Sequence, residues 1–228
     1  MMRIWTVFFF VLLMCPSVAE AQTAEILLQK VTEALSAGKA DYAVSLFRQA
    51  TAANAEQAEI YYWTQLNKNT DTSLRMAGEL AAHFKDYRVY DKAYLFYMEL
   101  LQAHPDDVQT LVACAETQLM RGDEDDARRL YEKVLGLDAD NLQANIFLGN
   151  YYFLQAENRK KRLEEDFKHL ASPTRMQYAR YRNGLSDIFA GGYEKAKACL
   201  QRVLQLFPSS SEAGHILERI KKLEAELK

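Results

Sequence analysis

A pattern that recurs about every 34 residues limits what this chain can fold into more than any other feature of its sequence. Similar segments align on Ala93, Ala127 and Ala196, which are 34 and 69 residues apart, so the second interval holds about two periods. Apolar residues follow four and seven positions after each alanine: Tyr97, Leu100, Tyr131, Val134, Leu200 and Val203. This spacing lies on one face of a helix and predicts an amphipathic helix in each segment.

Each of these helices is preceded by another apolar periodic segment, most clearly at 111–120 and 145–154. The repeating unit is therefore a pair of helices, and one pair cannot bury its apolar face alone. The chain has 228 residues, of which 49% are hydrophobic and only 9 are Gly and 4 are Pro, which favours long helices. The predicted fold is an all-α solenoid of stacked antiparallel helix pairs.

Two half-motifs show which family this pattern resembles. The first lies on Asn145, Leu148, Gly149 and Tyr152, and the second runs from Gly191 through Ala196 to Pro208. Together they resemble the tetratricopeptide repeat, although no single copy in this chain carries both halves. On that resemblance, repeats are placed at 24–57, 74–107, 108–141, 142–176 and 177–210, with an extra helix at 58–73 and a capping helix at 211–228.

Two segments depart from the repeat. At the extra helix, residues 57–66 are predicted to be helical, and residues 67–72 are predicted to form a loop after it. Residues 157–170 take the place of a second helix in the repeat at 142–176, but they are strongly charged and lack the anchor alanine. A separate charged helix that ends before Ser172 and Pro173 is expected there, because a serine cap followed by proline is typical of the start of the next helix.

The first 21 residues have the pattern of a cleaved export signal. Arg3 precedes an apolar run at 4–14, and Pro16 breaks that run before two possible cleavage sites, at 17–19 and 19–21. The periplasm is the predicted location, with secretion or lipid anchoring as alternatives; Met14 before Cys15 disfavours the lipid anchor. No transmembrane span is expected in the mature chain, whose two cysteines, 114 and 199, exclude a disulfide-rich fold.

The sequence has no motif for catalysis or for holding a cofactor. Its four histidines are far apart, no cysteine pair has zinc spacing, and the acidic run at 123–126 lacks the glycine and glutamate of a calcium loop. The basic run at 159–162 is followed at once by acids and is interpreted as a solvated helix. A net charge of −3 also disfavours nucleic acid as a partner. The chain is therefore predicted not to be an enzyme, and to have neither cofactor nor metal.

The family resemblance implies a concave groove, lined by the first helix of each pair, that holds a peptide or a partner helix. A protein or peptide of the cell envelope is the predicted partner, and the chain would act as a scaffold. The predicted partner-binding residues stand at groove positions: Val112, Glu116, Met120, Ile146, Asn150, Phe153, Tyr178, Tyr181 and Leu185.

Alternatives to an open protein-binding groove are a glycan or lipid site on Tyr178, Tyr181 and Phe153, and a structural subunit that associates with itself. The groove could also be filled by the charged segment 157–170 or by the C-terminal helix.

Overall fold

The structure, a computed structural model, describes the backbone of residues 16–227 and the side chains of residues 22–227, and every regular element in this part is helical. The all-α fold class is confirmed. The α-helices are α1 (Pro16–Ser36), α2 (Ala40–Ala53), α3 (Ala55–Gln65), α4 (Asp71–Asp86), α5 (Tyr90–Ala103), α6 (Val108–Arg121), α7 (Glu124–Leu137), α8 (Leu142–Lys168), α9 (Arg175–Ile188), α10 (Glu194–Leu206) and α11 (Ser211–Leu227), with a π-helical turn at Phe189–Tyr193.

The predicted signal peptide, residues 1–21, lies outside the residues whose side chains the structure describes. Export therefore stays a prediction. In the described range, 16–227, no helix is both long enough and apolar enough to cross a membrane.

The chain divides into two compact units, the first ending at Ala103 and the second beginning at His104. Within the first unit α1 packs on α2 and α4 on α5, and within the second α6 packs on α7. Gly38 and Gly122 end the first helices of two of these pairs with φ of 69° and 86°, a left-handed conformation that glycine adopts without strain. The anchor alanines of the repeat, 93, 127 and 196, are fully buried, which explains why small residues occur where paired helices meet.

The extra segment 58–73 contains a helix at nearly the predicted residues, 55–65 in place of 57–66, followed by non-helical residues before α4. This helix is α3, which begins after Asn54, whose side-chain oxygen accepts a hydrogen bond from the Gln57 backbone N–H at 3.0 Å. It ends at Gln65, and Thr70 caps the start of α4 by accepting from the Ser73 N–H. Within the first unit α3 packs on α1, α2 and α4, so it extends the helical layer instead of forming a pair of its own.

The second unit differs from the predicted repeats at 142–176 and 177–210. No turn follows residue 156: α8 continues without a break to Lys168, so the charged segment 157–170 extends a first helix and is not a second one. The helix that packs on the first part of α8 is α10. The two halves of the family motif therefore belong to one helix pair, α8 with α10, and not to two successive repeats.

The local sequence explains both features of this pair. Between Gly149 and Pro173 the chain has neither glycine nor proline, so nothing stops the helix at the repeat boundary. Gly149 lets α10 approach closely, since a Cβ built there would lie 2.7 Å from Leu200 Cδ2. Ala196 of α10 is fully buried at the same interface.

A helical hairpin is inserted between the two members of this pair. It consists of the second half of α8, a connecting loop and α9, and we call residues 157–188 the inserted hairpin. Thr174 starts α9 with a capping box in which its side chain and that of Gln177 bond reciprocally to backbone N–H groups. Gly184 allows the two arms to meet, because a Cβ there would lie 2.9 Å from Leu163 Cδ2.

The C-terminal helix α11 closes the second unit. Its Ile220 is fully buried in one cluster with side chains from α8, the α9 region and α10, and its Ala213 is buried in a neighbouring cluster with Leu200 and Val203. The opposite side of α11 is charged, as expected of a helix that ends a stacked array. The members of the first cluster are Phe153, Ala156, Ile188, Tyr193, Ala196 and Ile220.

The two cysteines of the described residues are free thiols, Cys114 fully buried and Cys199 partly buried. Burial raises the pKa of Cys114 to about 11 and also raises the pKa of Cys199. Both thiols are therefore protonated at pH 8 and are expected to react slowly with Ellman's reagent in the folded chain from residue 22 onward. Reductant should leave its melting temperature unchanged; a melting temperature that falls in reductant would contradict this arrangement.

Candidate partner-binding site

A cleft between α6 and α8 occupies the predicted groove within the second unit. It has a volume of about 250 Å³. Val112 and Glu116 of the predicted set line it, together with Asn141 and Gln143 at the start of α8. The lining residues are Val108, Gln109, Val112, Ala113, Glu116, Asn141 and Gln143.

Four large apolar side chains on these two helices are exposed, and one of them, Leu142, is the first residue of α8. The other three lie further along the helices. Met120 on α6 is 60% exposed, and Ile146 and Leu154 on α8 are 39% and 57% exposed. Met120 follows Val112 and Glu116 at helical spacing, and Ile146 and Leu154 follow Gln143 in the same way, so all three continue the faces that line the cleft. We call Met120, Ile146, Leu154 and the cleft beside them the groove face.

Helix α11 adjoins the groove face on the far side of α8. The side-chain amide of Asn150 donates a hydrogen bond to Glu212 Oε1 at 3.3 Å. The Arg219 guanidinium lies 4.8 Å from the centre of the Phe153 ring and forms an ion pair with Glu157 at 2.8 Å. The C-terminal helix therefore takes the place of the next first helix in the array and covers the middle part of α8.

Phe153 is a core residue, and its prediction as a partner-binding side chain is wrong. It is 4% exposed and meets the ring of Tyr193 edge-on at 5.9 Å. The reason is the position of α11, whose Ile220 belongs to the same buried cluster. The sequence pattern placed Phe153 at a groove position but could not show that the next helix would cover it.

The remaining three predicted residues lie elsewhere in the second unit. Tyr178, Tyr181 and Leu185 are on α9 and line a pocket of about 240 Å³ between the inserted hairpin and the end of α11. Arg182 donates to the Leu227 backbone oxygen at 3.0 Å at its margin. The other lining residues are Lys160, Glu164, Arg182, Ile188, Phe189, Tyr193, Leu223, Glu226 and Leu227.

An ion pair and burial change the pKa values of residues that line this pocket. Lys160 and Glu164 form an ion pair at 2.9 Å, and this bond raises the pKa of Lys160. Burial, with a smaller contribution from Glu164, raises the pKa of Tyr181. Phe153 does not line the pocket, so the platform of Tyr178, Tyr181 and Phe153 that a glycan or lipid site would need is not formed.

The repeat pattern did not predict a second cleft in this region. The inserted hairpin carries a second cleft, near the connecting loop, whose walls include Phe167, Leu170 and Arg180. The signal available in the sequence was the long interval without glycine or proline after Gly149.

Across residues 16–227 the structure places no three His, Cys, Asp or Glu side chains where they could hold a metal ion. The lack of a cofactor and of enzyme activity remain predictions.

Comparison with known proteins agrees with this architecture. No protein-family model and no curated protein matches the sequence. A crystal structure of a proposed protein-binding protein from Bacteroides ovatus is 55% identical, covers 91% of this chain and 100% of its own, and superposes with a TM-score of 0.79. A TPR repeats protein from Bacteroides fragilis is 16% identical over 88% of this chain and 98% of its own, with a TM-score of 0.48.

A thermophilic TPR protein from Thermus thermophilus is 14% identical over 89% of this chain and 99% of its own, with a TM-score of 0.34. Its identity and coverage show that the Bacteroides ovatus protein and this chain are members of one family. The 34-residue period, the buried anchor alanines and the paired helices are the repeat architecture of this chain. This chain belongs to the tetratricopeptide repeat family.

Proposed function

We propose that the chain is a scaffold that binds a partner protein or peptide on the groove face of α6 and α8. The observation that carries this proposal is the exposure of Met120, Ile146 and Leu154 on the two helices, α6 and α8, that also line an open cleft. Large apolar side chains grouped on a surface usually mark a binding site, because their burial against a partner is favourable. The description of the Bacteroides ovatus relative as a proposed protein-binding protein supports the same class of function.

The groove face suits a segment that carries apolar side chains along one side. An amphipathic helix or an extended peptide could bury these side chains against Ile146 and Leu154, as in other complexes where a helix lies in a groove. Glu116 in the cleft, and Glu212, which accepts a hydrogen bond from Asn150 of α8, add negative charge. A lysine, arginine or free amide N–H of the partner next to the apolar side chains would complement these carboxylates.

The proposed place of action is the periplasm, where the partner would be a protein of the cell envelope. This part of the proposal is supported by Arg3, the apolar run at 4–14 and the small residues around position 19. Fractionation of cells followed by mass spectrometry of the mature N-terminus tests it. An intact N-terminus in the cytoplasm would contradict export.

The groove proposal predicts that Met120→Ser and Ile146→Ser each weaken partner capture by about 1–2 kcal/mol, which is five- to thirty-fold, while the melting temperature stays nearly unchanged. The purified chain, with a photo-crosslinking residue at Gln143, would first identify the partner in an envelope extract. Its affinity for the variants would then be measured by calorimetry.

The matched control for this experiment is Leu95→Ser on α5, since Leu95 is equally apolar and 55% exposed but lies in the first unit. It should bind like the wild type. Equal affinity of all four proteins would refute the groove proposal. A mass that rises with concentration in light scattering, lowered by the groove variants, would instead favour self-association.

A further inference from the structure

The inserted hairpin has a cleft of its own, separate from the groove face. This cleft has a volume of about 190 Å³ and opens between the arms of the hairpin, next to the crossing of Leu163 and Gly184. Its surface is mostly apolar, with one carboxylate and one guanidinium at the margin. The lining residues are Leu163, Asp166, Phe167, Leu170, Gln177, Arg180 and Tyr181. We call it the hairpin cleft.

The aromatic residues of the hairpin cleft are held in place by one another. The rings of Phe167 and Tyr181 are stacked with centroids 4.3 Å apart, and Tyr178 meets Phe167 edge-on at 5.8 Å. Leu170 is 36% exposed at the open end, and Met176 beyond it is 67% exposed. A rigid apolar surface that stays partly open to water is suited to receive one apolar side chain of a partner.

The inserted hairpin is basic although the whole chain is acidic. Residues 157–188 contain eight Lys and Arg and five Asp and Glu, a net charge of +3 in a chain whose net charge is −3. The excess of positive charge is thus concentrated in the one segment that interrupts the helix pair.

Ion pairing involves most of the hairpin's acids but few of its cations. Of the five acids, Glu157, Glu164 and Glu165 are paired with Arg219, Lys160 and Lys161. By contrast, among the residues that the structure describes no carboxylate lies within 4.0 Å of five exposed cations of the hairpin: Arg159, Arg162, Lys168, Arg175 and Arg180. Cations without a carboxylate partner, of which Arg180 lines the cleft, give the hairpin a charge that an acidic ligand would complement.

From this combination we infer that the hairpin cleft is a second docking site, which binds an acidic peptide segment of a partner protein. One apolar side chain of the segment lies between Phe167 and Leu170, and flanking carboxylates bind Arg180, which lines the cleft, and Arg159 and Arg162, which precede Leu163 on α8. Arginine suits this role because its planar guanidinium binds a carboxylate through two hydrogen bonds. The site does not depend on the groove face, so a partner could be bound at two places at once.

An anionic membrane surface would also attract these cations, but the geometry favours a peptide. The cleft is a concave recess of about the size of a side chain, whereas insertion into a bilayer requires protruding apolar residues with no acid among them.

The test uses a fluorescein-labelled peptide in which one leucine is flanked on both sides by glutamates, and measures its binding to the whole chain by fluorescence anisotropy. Arg159→Glu/Arg180→Glu should weaken binding by about ten-fold or more, since two attractive contacts become repulsive. Leu170→Ser should weaken it by about five-fold. Replacing the peptide's leucine by serine, or its glutamates by glutamines, should weaken binding to the wild-type chain in the same way.

The matched control is Lys221→Glu/Lys222→Glu, which reverses two exposed lysines on α11 that do not line the hairpin cleft. It has the same net charge as the hairpin variant and should bind like the wild type. Equal weakening in both double variants would mean a general charge effect and would overturn the inference, as would no binding of the acidic peptide. Binding of phosphatidylglycerol vesicles in place of the peptide, lost in the hairpin variant, would assign the surface to a membrane and also overturn it.

Discussion

Replacing Phe153 by alanine is expected to lower the free energy of unfolding by about 3–5 kcal/mol. Phe153 is 4% exposed and packs on Tyr193, with Arg219 over its ring. Truncation leaves a cavity at the place where α8, α10 and α11 meet, and it also removes the aromatic face beneath Arg219. Urea unfolding followed by circular dichroism measures this loss.

The neighbouring residue provides the control for this experiment. Leu154 is one position further along α8 but is 57% exposed, so Leu154→Ala should change the free energy of unfolding by less than about 0.5 kcal/mol. A small effect at Phe153 together with a large one at Leu154 would mean that α8 is rotated relative to the structure described here. The groove face would then have to be assigned again.

Gly149→Val is expected to destabilise the chain by about 1–3 kcal/mol through overpacking. A Cβ at this position lies 2.7 Å from Cδ2 and 2.8 Å from Cγ of Leu200, and Leu200 is itself only 2% exposed and cannot move aside. The effect is expected only if α10, and not residues 157–170, is the partner of the first part of α8. Urea midpoints for the variant and the wild type measure it.

Gly136→Val is the matched substitution in a helix without such a contact. No atom lies within 4 Å of a Cβ built at Gly136, which is exposed near the end of α7. Valine has a slightly higher helix propensity than glycine, so the stability should rise by a few tenths of a kcal/mol. Equal losses at the two glycines would refute the pairing of α8 with α10.

The fold class was predictable because it depends on periodicity. A recurring alanine with apolar residues four and seven positions later is a local pattern, and Ala93, Ala127 and Ala196 are all buried where that pattern requires. The repeat positions also explain why Val112 and Glu116 lie on one side of α6, where both line the cleft; their role in binding a partner stays a prediction.

The arrangement of the C-terminal half was not predictable from the same pattern. Whether α8 stops near residue 156 depends on local breakers, which are absent, but which helix then packs on Gly149 depends on a contact with Leu200 far along the chain. A repeat counted at fixed intervals assigns the next helix to this place. The repeat pattern also did not predict the burial of Phe153, because α11, the helix that covers this residue, lies outside the repeats.

The insertion within the α8–α10 pair also affects how this part of the chain reaches its folded state. In an ordinary pair such as α6 and α7, the two helices are joined by Gly122 and Asp123, so they can meet as soon as both have formed. Gly149 and Leu200 are 51 residues apart, and the entropy lost on closing such an interval rises with its length. Non-local contacts of this kind slow folding. The contacts between α8 and α10 should therefore be among the last to form, after the inserted hairpin has folded.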